Sequence, residues 1–143
     1  MKKKLRISLI PLILVSFMII DTSDLFVTSI GGFQDGAWVA PAEADAITNP
    51  LEIDEYTMED GQDVYTANCL ACHGEKGDGD TPAAAAFNPK PKNFADGKFI
   101  KQSDGAIYWK VTSGRGMMLS YKDILEEEEI WAAIVYVKSL AGE

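Results

Sequence analysis

The stretch Cys69-Leu70-Ala71-Cys72-His73 decides how this chain folds, because it specifies what the chain folds around. Two thiols three residues apart near a helix end can reach the two vinyl groups of one porphyrin, and the next residue can turn its imidazole onto the iron. The motif therefore predicts covalent attachment of one haem through Cys69 and Cys72, with His73 as an iron ligand. A redox-active Cys-x-x-Cys needs a βαβ context that the sequence lacks, and structural zinc needs four nitrogen or sulfur ligands.

The iron of such a haem has a sixth position, and the sequence holds no second histidine to fill it. Thioethers are the remaining candidates. The segment from Gly114 to Tyr121, GRGMMLSY, places two of them in a glycine-flanked loop. The residues alone leave Met117 and Met118 both open as the distal ligand.

Three helical stretches are separated by long loops, and no alternation of apolar and polar residues predicts a sheet, so the domain is expected to be all-α. Thr57 is the expected N-cap of the first stretch, Ser103 caps a short second one, and the third begins within Glu126–Glu129 and ends near Gly142. A loop of 25 residues, 75–99, is rich in Gly, Pro and Lys. Loops of that length in a small domain usually wrap something.

The N-terminus starts MKKKLR and continues with 14 mostly apolar residues, Ile7 to Ile20, which is typical of an export signal. The run is shorter than the roughly 20 residues of a membrane span, and a short uncleaved anchor is the alternative. Small-x-small cleavage patterns occur only between Ala40 and Ala46. We therefore predict that residues 1–46 are a signal peptide or an N-terminal tether and that residues 47–143 form the folded domain.

Three features resemble the single-haem class I c-type cytochromes of bacterial periplasms over about residues 57–140. They are the spacing from Gly61 through Tyr65 to the haem motif, the methionine loop, and a closing helix with Trp131 and Tyr136. The resemblance implies the small class I cytochrome c fold, with three to five helices wrapped around one covalently bound haem c. It also implies that the first and last helices cross where Gly61 and Tyr65 meet Ala133 and Tyr136.

The ligand loop of that family commonly reads G-x-G-x-M-P-x-[YF], which assigns the distal position to Met118 and leaves Met117 as the alternative. Leu119 stands where the family has proline, which predicts a weaker iron–sulfur bond. Glu126 stands where a capping serine is common, which predicts a frayed start of the last helix.

The resemblance implies further haem contacts. The segment Asn88-Pro89-Lys90-Pro91 is expected to offer a backbone carbonyl to the second imidazole nitrogen, as such bonds orient a ligating ring. Trp109 and Arg115 are expected near the haem propionates, because indole and guanidinium N–H groups suit carboxylates. Pro89, Trp109 and Arg115 are thus candidate haem contacts.

Binding of both His73 and Met118 would leave the iron no vacant site, so the resemblance implies a periplasmic electron carrier rather than an enzyme. Its partners would be other redox proteins or membrane electron-transfer complexes, without a small-molecule substrate, and with membrane contact only if the N-terminal segment is uncleaved. The alternatives are a permanently bound haem subunit of an oxidoreductase complex and a ligand-binding or peroxidatic haem protein.

The charge pattern bears on partners. The net charge of −9 argues against nucleic-acid binding, which needs a surplus of cations. The cations concentrate in residues 90–122, which hold seven of them against Asp96 and Asp104: Lys90, Lys92, Lys98, Lys101, Lys110, Arg115 and Lys122. Because this stretch ends with the methionine loop, we predict a basic docking face on an acidic protein.

Overall fold

The computed structural model describes residues 36–141. These residues form a short 3-10 helix, Ala42–Ala46, followed by five α-helices: α1 Glu55–Asn68, α2 Leu70–His73, α3 Gly97–Ile100, α4 Asp104–Ser113 and α5 Glu127–Leu140. Within this range the only β-type pairing is an isolated bridge between Arg115 and Met118. The all-α prediction is confirmed. Residues 1–35 of the predicted signal or tether, and Gly142, lie outside the described residues.

The start of α1 is set by Asp54 rather than by the predicted Thr57. The Thr57 amide donates to Asp54 Oδ1 at 2.8 Å, and the Thr57 hydroxyl donates backwards to the Glu52 carbonyl at 2.8 Å. The bond from the Thr57 amide lowers the pKa of Asp54. The prediction was wrong because an acceptor three residues upstream caps the same first turn.

Helices α1 and α5 cross at Gly61, where the two backbones nearly touch. A Cβ at Gly61 would lie 2.2 Å from the Ala132 carbonyl oxygen and 3.0 Å from the Tyr136 Cβ. The rings of Tyr65 and Tyr136 pack beside the crossing with centroids 5.3 Å apart. The predicted crossing is confirmed, with Ala132 in place of Ala133, because Ala132 and Tyr136 are four residues apart and share one face of α5.

The start of α5 is ordered, which corrects the prediction of a frayed end. The backbone N–H of Glu126 donates to the Glu129 carboxylate at 2.8 Å, so the helix caps itself without serine. Ser103 caps α4 as predicted, since its hydroxyl accepts from the Ala106 amide at 3.0 Å. Both predictions concerned local hydrogen bonding: the Glu126 carboxylate accepts from the Glu129 amide, as the missing serine would have done, and the Glu129 carboxylate completes the capping box.

Helix α4 packs on α5 to form the first core cluster. Its buried members are Ile107, Ile130, Trp131 and Ile134. Tyr108 stacks on Trp131 with ring centroids 4.2 Å apart, and an ion pair between Lys138 and Asp104 joins the same two helices. None of the helices between residues 36 and 141 is long and apolar enough to cross a membrane.

The folded unit extends upstream of the predicted boundary at residue 47. Ala44, in the 3-10 helix, is only 1% exposed. A Cβ at Gly105 would lie 2.0 Å from the Ala44 carbonyl oxygen, so the 3-10 helix packs directly on the backbone of α4. Ser103 also donates to Asp45 Oδ1 at 2.6 Å. Two small residues in contact leave no hydrophobic signal in the sequence, which is why this packing was not predicted.

The close approach at Gly61 predicts that a methyl group added there would destabilise the fold. Gly61→Ala should lower the free energy of unfolding by about 1–2 kcal/mol, because the overpacking at the Ala132 carbonyl exceeds the gain in helix propensity. Urea unfolding of the haem-loaded protein measures this. Gly97→Ala is the control, since a Cβ there meets nothing within 4 Å. An equally stable Gly61→Ala protein would contradict the assigned crossing.

Candidate cofactor site

The motif of residues 69–73 lies at the joint between α1 and α2. Cys69 ends α1 by donating its amide to the Tyr65 carbonyl at 2.8 Å, and its own carbonyl accepts from the His73 amide at 2.9 Å. This tight turn holds both thiols and the imidazole in one short segment. Neither thiol is in a disulfide.

The thiol of Cys69 is kept neutral. Burial, with a smaller contribution from neighbouring Cys72, raises its pKa to about 11. A redox-active Cys-x-x-Cys pair has the opposite property, since its attacking thiol has a lowered pKa. The environment therefore disfavours disulfide exchange and suits thiols that form a bond once and remain buried.

His73 carries the clearest sign of a missing partner. Its Nδ1 is buried and has no hydrogen-bond partner among the described residues. Burial lowers the pKa of the imidazole, which favours the neutral form that ligates metals. A buried polar atom without a partner costs about 1–3 kcal/mol, so an occupant outside the protein chain is expected at this ring.

The expected bond from the Pro89 segment to that imidazole is not present, which corrects the prediction. Pro89 is exposed, and the segment instead packs on Gly79, where a Cβ would lie 2.7 Å from the Pro91 carbonyl oxygen. The Gly79 amide in turn donates to the His73 carbonyl at 2.9 Å. The proline segment thus supports the backbone of His73 through Gly79, and it makes no hydrogen bond to the imidazole.

Phe94 fixes the plane of the imidazole, and sequence reasoning missed it. Its ring stacks on His73 with centroids 4.8 Å apart and an interplanar angle of 20°. The backbone N–H of Phe94 donates a hydrogen bond to the Gly77 carbonyl at 2.8 Å. The ring also packs against Gly77, where a Cβ would lie only 2.3 Å from it. The only sequence signal was an aromatic residue in a loop rich in Gly and Pro.

Tyr65 secures the segment that follows the imidazole. The side chain is 1% exposed, and its hydroxyl donates to the Gly74 carbonyl at 2.6 Å. Burial raises the pKa of Tyr65, so the hydroxyl keeps its proton and remains a donor. The bond links the last turn of α1 to the residue directly after His73.

The methionine loop is a two-residue hairpin turn that separates the two thioethers. The amides and carbonyls of Arg115 and Met118 pair at 2.9 and 3.0 Å. Gly116 occupies the first turn position with φ +59°, which favours glycine. Met117 lies at the turn with its side chain 66% exposed, whereas Met118 is half-buried.

Tyr121 brings this loop to the motif. Its amide donates to the Val111 carbonyl at 3.0 Å, and its hydroxyl donates to the Asn68 carbonyl at 2.8 Å, one residue before Cys69. Burial raises the pKa of Tyr121, and the nearby thiols of Cys69 and Cys72 raise it further. Sequence reasoning used this position only as an aromatic in the loop pattern and did not predict the contact.

The two remaining candidate haem contacts, Trp109 and Arg115, make no hydrogen bond to residues 69–73 among the residues 36–141. Trp109 is half-buried on α4, and within the described part of the chain its indole N–H donates no hydrogen bond. The guanidinium of Arg115 donates to the Gly36 carbonyl at 3.1 Å. Contact of either residue with haem propionates stays a prediction.

Taken together, the described residues fit a haem. The buried Nδ1 of His73 lacks a partner, Cys69 and Cys72 precede His73 at the attachment spacing, and a half-buried thioether lies in the loop that Tyr121 bonds to the end of α1. These are the donor types that hold c-type haem: thiols for attachment, and histidine and methionine for iron.

Comparison with known proteins agrees with this donor set. Residues 58–141, more than half of the chain, match the family model described as Cytochrome c. Cytochrome c6 from Euglena gracilis is 32% identical over 82 residues, which covers 57% of this chain and 91% of that protein.

Two further similar proteins are longer than the match. The cbb3-type cytochrome c oxidase subunit FixP from Azorhizobium caulinodans is 36% identical over 84 residues, covering 57% of this chain and 27% of that subunit. A chain in the solved reducing HAO-like protein complex Kustc0457/Kustc0458 of Kuenenia stuttgartiensis aligns with a TM-score of 0.57 and 33% identity. That alignment covers 64% of this chain and 46% of the other.

The Tyr65 bond gives a stability prediction. Tyr65→Phe should lower the free energy of unfolding by about 1 kcal/mol, because the partly buried Gly74 carbonyl loses its donor while the ring packing stays. Chemical unfolding followed by far-ultraviolet circular dichroism measures this. Tyr56→Phe is the matched control, since Tyr56 is 78% exposed. Equal losses in the two variants would contradict a specific role for the buried hydroxyl.

Proposed function

The chain belongs to the cytochrome c family and binds haem c covalently, and from this premise we propose that it carries one electron at a time between redox proteins outside the cytoplasm. Its class I cytochrome c fold and its similarity to c-type cytochromes were both predicted from the sequence. The bound haem supplies a reversible one-electron couple at its iron.

In this proposal Cys69 and Cys72 would hold the haem through thioether bonds, and His73 and Met118 would be the two protein ligands of its iron. One observation carries the assignment: the 2.8 Å bond from the Tyr121 hydroxyl to the Asn68 carbonyl brings the methionine loop beside the attachment motif. Without that contact, the two ligand-bearing segments would be related only by the sequence pattern.

Met118 is favoured over Met117 by its place in the hairpin. Met118 is half-buried and both of its backbone groups pair with Arg115, whereas Met117 lies at the exposed turn. A ligand that must keep its position in both oxidation states benefits from a fixed backbone. A thioether also favours ferrous iron, and burial disfavours the additional charge of the ferric state, so both raise the reduction potential.

The proposed partners are other redox proteins or membrane electron-transfer complexes, and the proposed location is the periplasm, reached through the N-terminal export segment. A subunit permanently bound to an oxidoreductase is the second candidate. Similarity to an oxidase subunit and to a chain of the HAO-like complex favours it. The exposed side chains of Met117 and Leu119 at the loop tip offer either partner an apolar contact.

Only some of the cations in residues 90–122 are free to form the predicted basic docking face, because others already interact with groups in the protein. Lys110 bonds to Gln102 and lies over the Trp38 ring, Arg115 bonds to Gly36, and Lys90 lies 3.9 Å from Asp80. Four exposed lysines make no ion pair within residues 36–141 and are the better candidates: Lys92, Lys98, Lys101 and Lys122. Lys122 is the closest in sequence to the methionine loop.

Ligation is tested by substituting each methionine. Met118→Ala should abolish the far-red sulfur-to-ferric-iron absorption band and lower the reduction potential, because a soft ligand of ferrous iron is lost. Visible spectroscopy and a redox titration of the purified ferric protein measure both. Met117→Ala is the matched control and should change neither. The reverse pattern would transfer the role to Met117.

Docking charge is tested with hexacyanoferrate(III), an anionic oxidant, in stopped-flow experiments at increasing ionic strength. The rate should fall as salt is added, despite the net charge of −9, because exposed Lys122, which directly follows the methionine loop in sequence, attracts the anion locally. Lys122→Glu should slow the reaction severalfold at low salt. Glu128→Lys, at the acidic start of α5, should have little effect. A rate that rises with salt would contradict a basic docking face.

A further inference from the structure

The loop that bears Met118 lacks the residue that usually stiffens it. Leu119 follows the methionine and is 62% exposed, so its side chain gives the loop little packing. Proline at this position would fix φ near −65°, and leucine leaves it free. Another restraint is therefore needed to keep the thioether in place.

Three hydrogen bonds from Ser120 and Tyr121 restrain the methionine loop, but their acceptors lie in different parts of the fold. The Ser120 hydroxyl donates to the Thr112 carbonyl, and the Tyr121 amide donates to the Val111 carbonyl. Both bonds return to α4, within ten residues of the loop. Only the Tyr121 hydroxyl crosses to the haem motif, spanning 53 positions in sequence to the Asn68 carbonyl.

The acceptor of this bond, the Asn68 carbonyl, lies directly before the haem motif. Asn68 is the last residue of α1, where carbonyls lack intrahelical donors, and it directly precedes Cys69. On the other side, the Tyr121 carbonyl accepts from the amides of Ile124 and Leu125 at 3.1 and 3.0 Å. Tyr121 is thus fixed at its amide, its carbonyl and its hydroxyl, so a displacement of the loop must break bonds at one of these points.

We propose that Tyr121 is a positioning residue, whose hydroxyl bond to the Asn68 carbonyl holds the methionine loop on the haem motif and replaces the restraint that proline would give. This inference rests on the proposed function, in which Met118 binds the iron. The proposed role belongs to the hydroxyl and not to the ring, because a phenylalanine would fill the same space but could not donate a hydrogen bond to Asn68. Loss of the bond lets the thioether leave the iron more often.

The test uses the full-length ferric protein and imidazole, a ligand that competes with Met118 for iron. Tyr121→Phe should bind imidazole about two- to tenfold more tightly, which corresponds to the loss of one ordinary hydrogen bond. Spectral titration gives the affinity. Tyr56→Phe, the same change at an exposed site, should leave it unaltered.

A rescue variant separates positioning from general destabilisation. The backbone N–H of Leu119 donates no hydrogen bond within residues 36–141, so proline there removes none. Leu119→Pro in the Tyr121→Phe background should return the imidazole affinity toward that of the parent chain. Tighter binding that proline fails to reverse would show that the hydroxyl does not act through the loop, and would overturn the proposal.

Two further outcomes are distinguishable. If Tyr121→Phe binds imidazole as the parent does while Met118→Ala binds it far more tightly, Met118 is the ligand and the positioning role of Tyr121 is overturned alone. If Met118→Ala leaves the affinity unchanged, Met118 does not occupy the iron. That result overturns the ligation in the proposed function and the role of Tyr121 together.

Discussion

The close approach of α1 and α5 at Gly61 is the constraint on which the rest of the structure depends. It fixes the direction of α1, and α1 ends at Cys69. Two tyrosine hydroxyls then reach the backbone on either side of the haem motif: Tyr65 bonds to the Gly74 carbonyl, and Tyr121 bonds to the Asn68 carbonyl. One comes from α1 and the other from the methionine loop. The motif is therefore held at both ends by donors from two segments, which would have to stay aligned for the proposed His73 and Met118 ligation.

The chemistry of the site was predictable because it is local. The cysteine and histidine spacing lies within five residues, the loop glycines mark the turn next to Met118, and Ser103 caps the helix that it precedes. The features that sequence reasoning missed depend on distant or competing partners. Phe94 lies in a loop without periodicity, and the partner of Tyr121 is 53 residues away. Asp54 competed with Thr57 for the same helix start, and the packing of Ala44 on Gly105 involves residues too small to form an apolar pattern.

The surroundings of the motif are consistent with electron transfer rather than thiol chemistry. Burial keeps Cys69 protonated and His73 neutral, so neither group is prepared for disulfide exchange or proton transfer in the described structure. Charge lies outside the site. The first turns of α1 and α5 are acidic, whereas the stretch that leads to the methionine loop carries the exposed lysines. A partner of opposite sign would be steered toward the loop, where Met117 and Leu119 supply apolar contact.

In the proposed function, the chain's own residues occupy both iron positions. Addition of carbon monoxide to the dithionite-reduced protein tests it most directly, because carbon monoxide binds ferrous haem only where a position is open or its ligand leaves. We expect a reduced spectrum that carbon monoxide leaves unchanged. A prompt shift of the Soret band would contradict it and would indicate a ligand-binding haem protein.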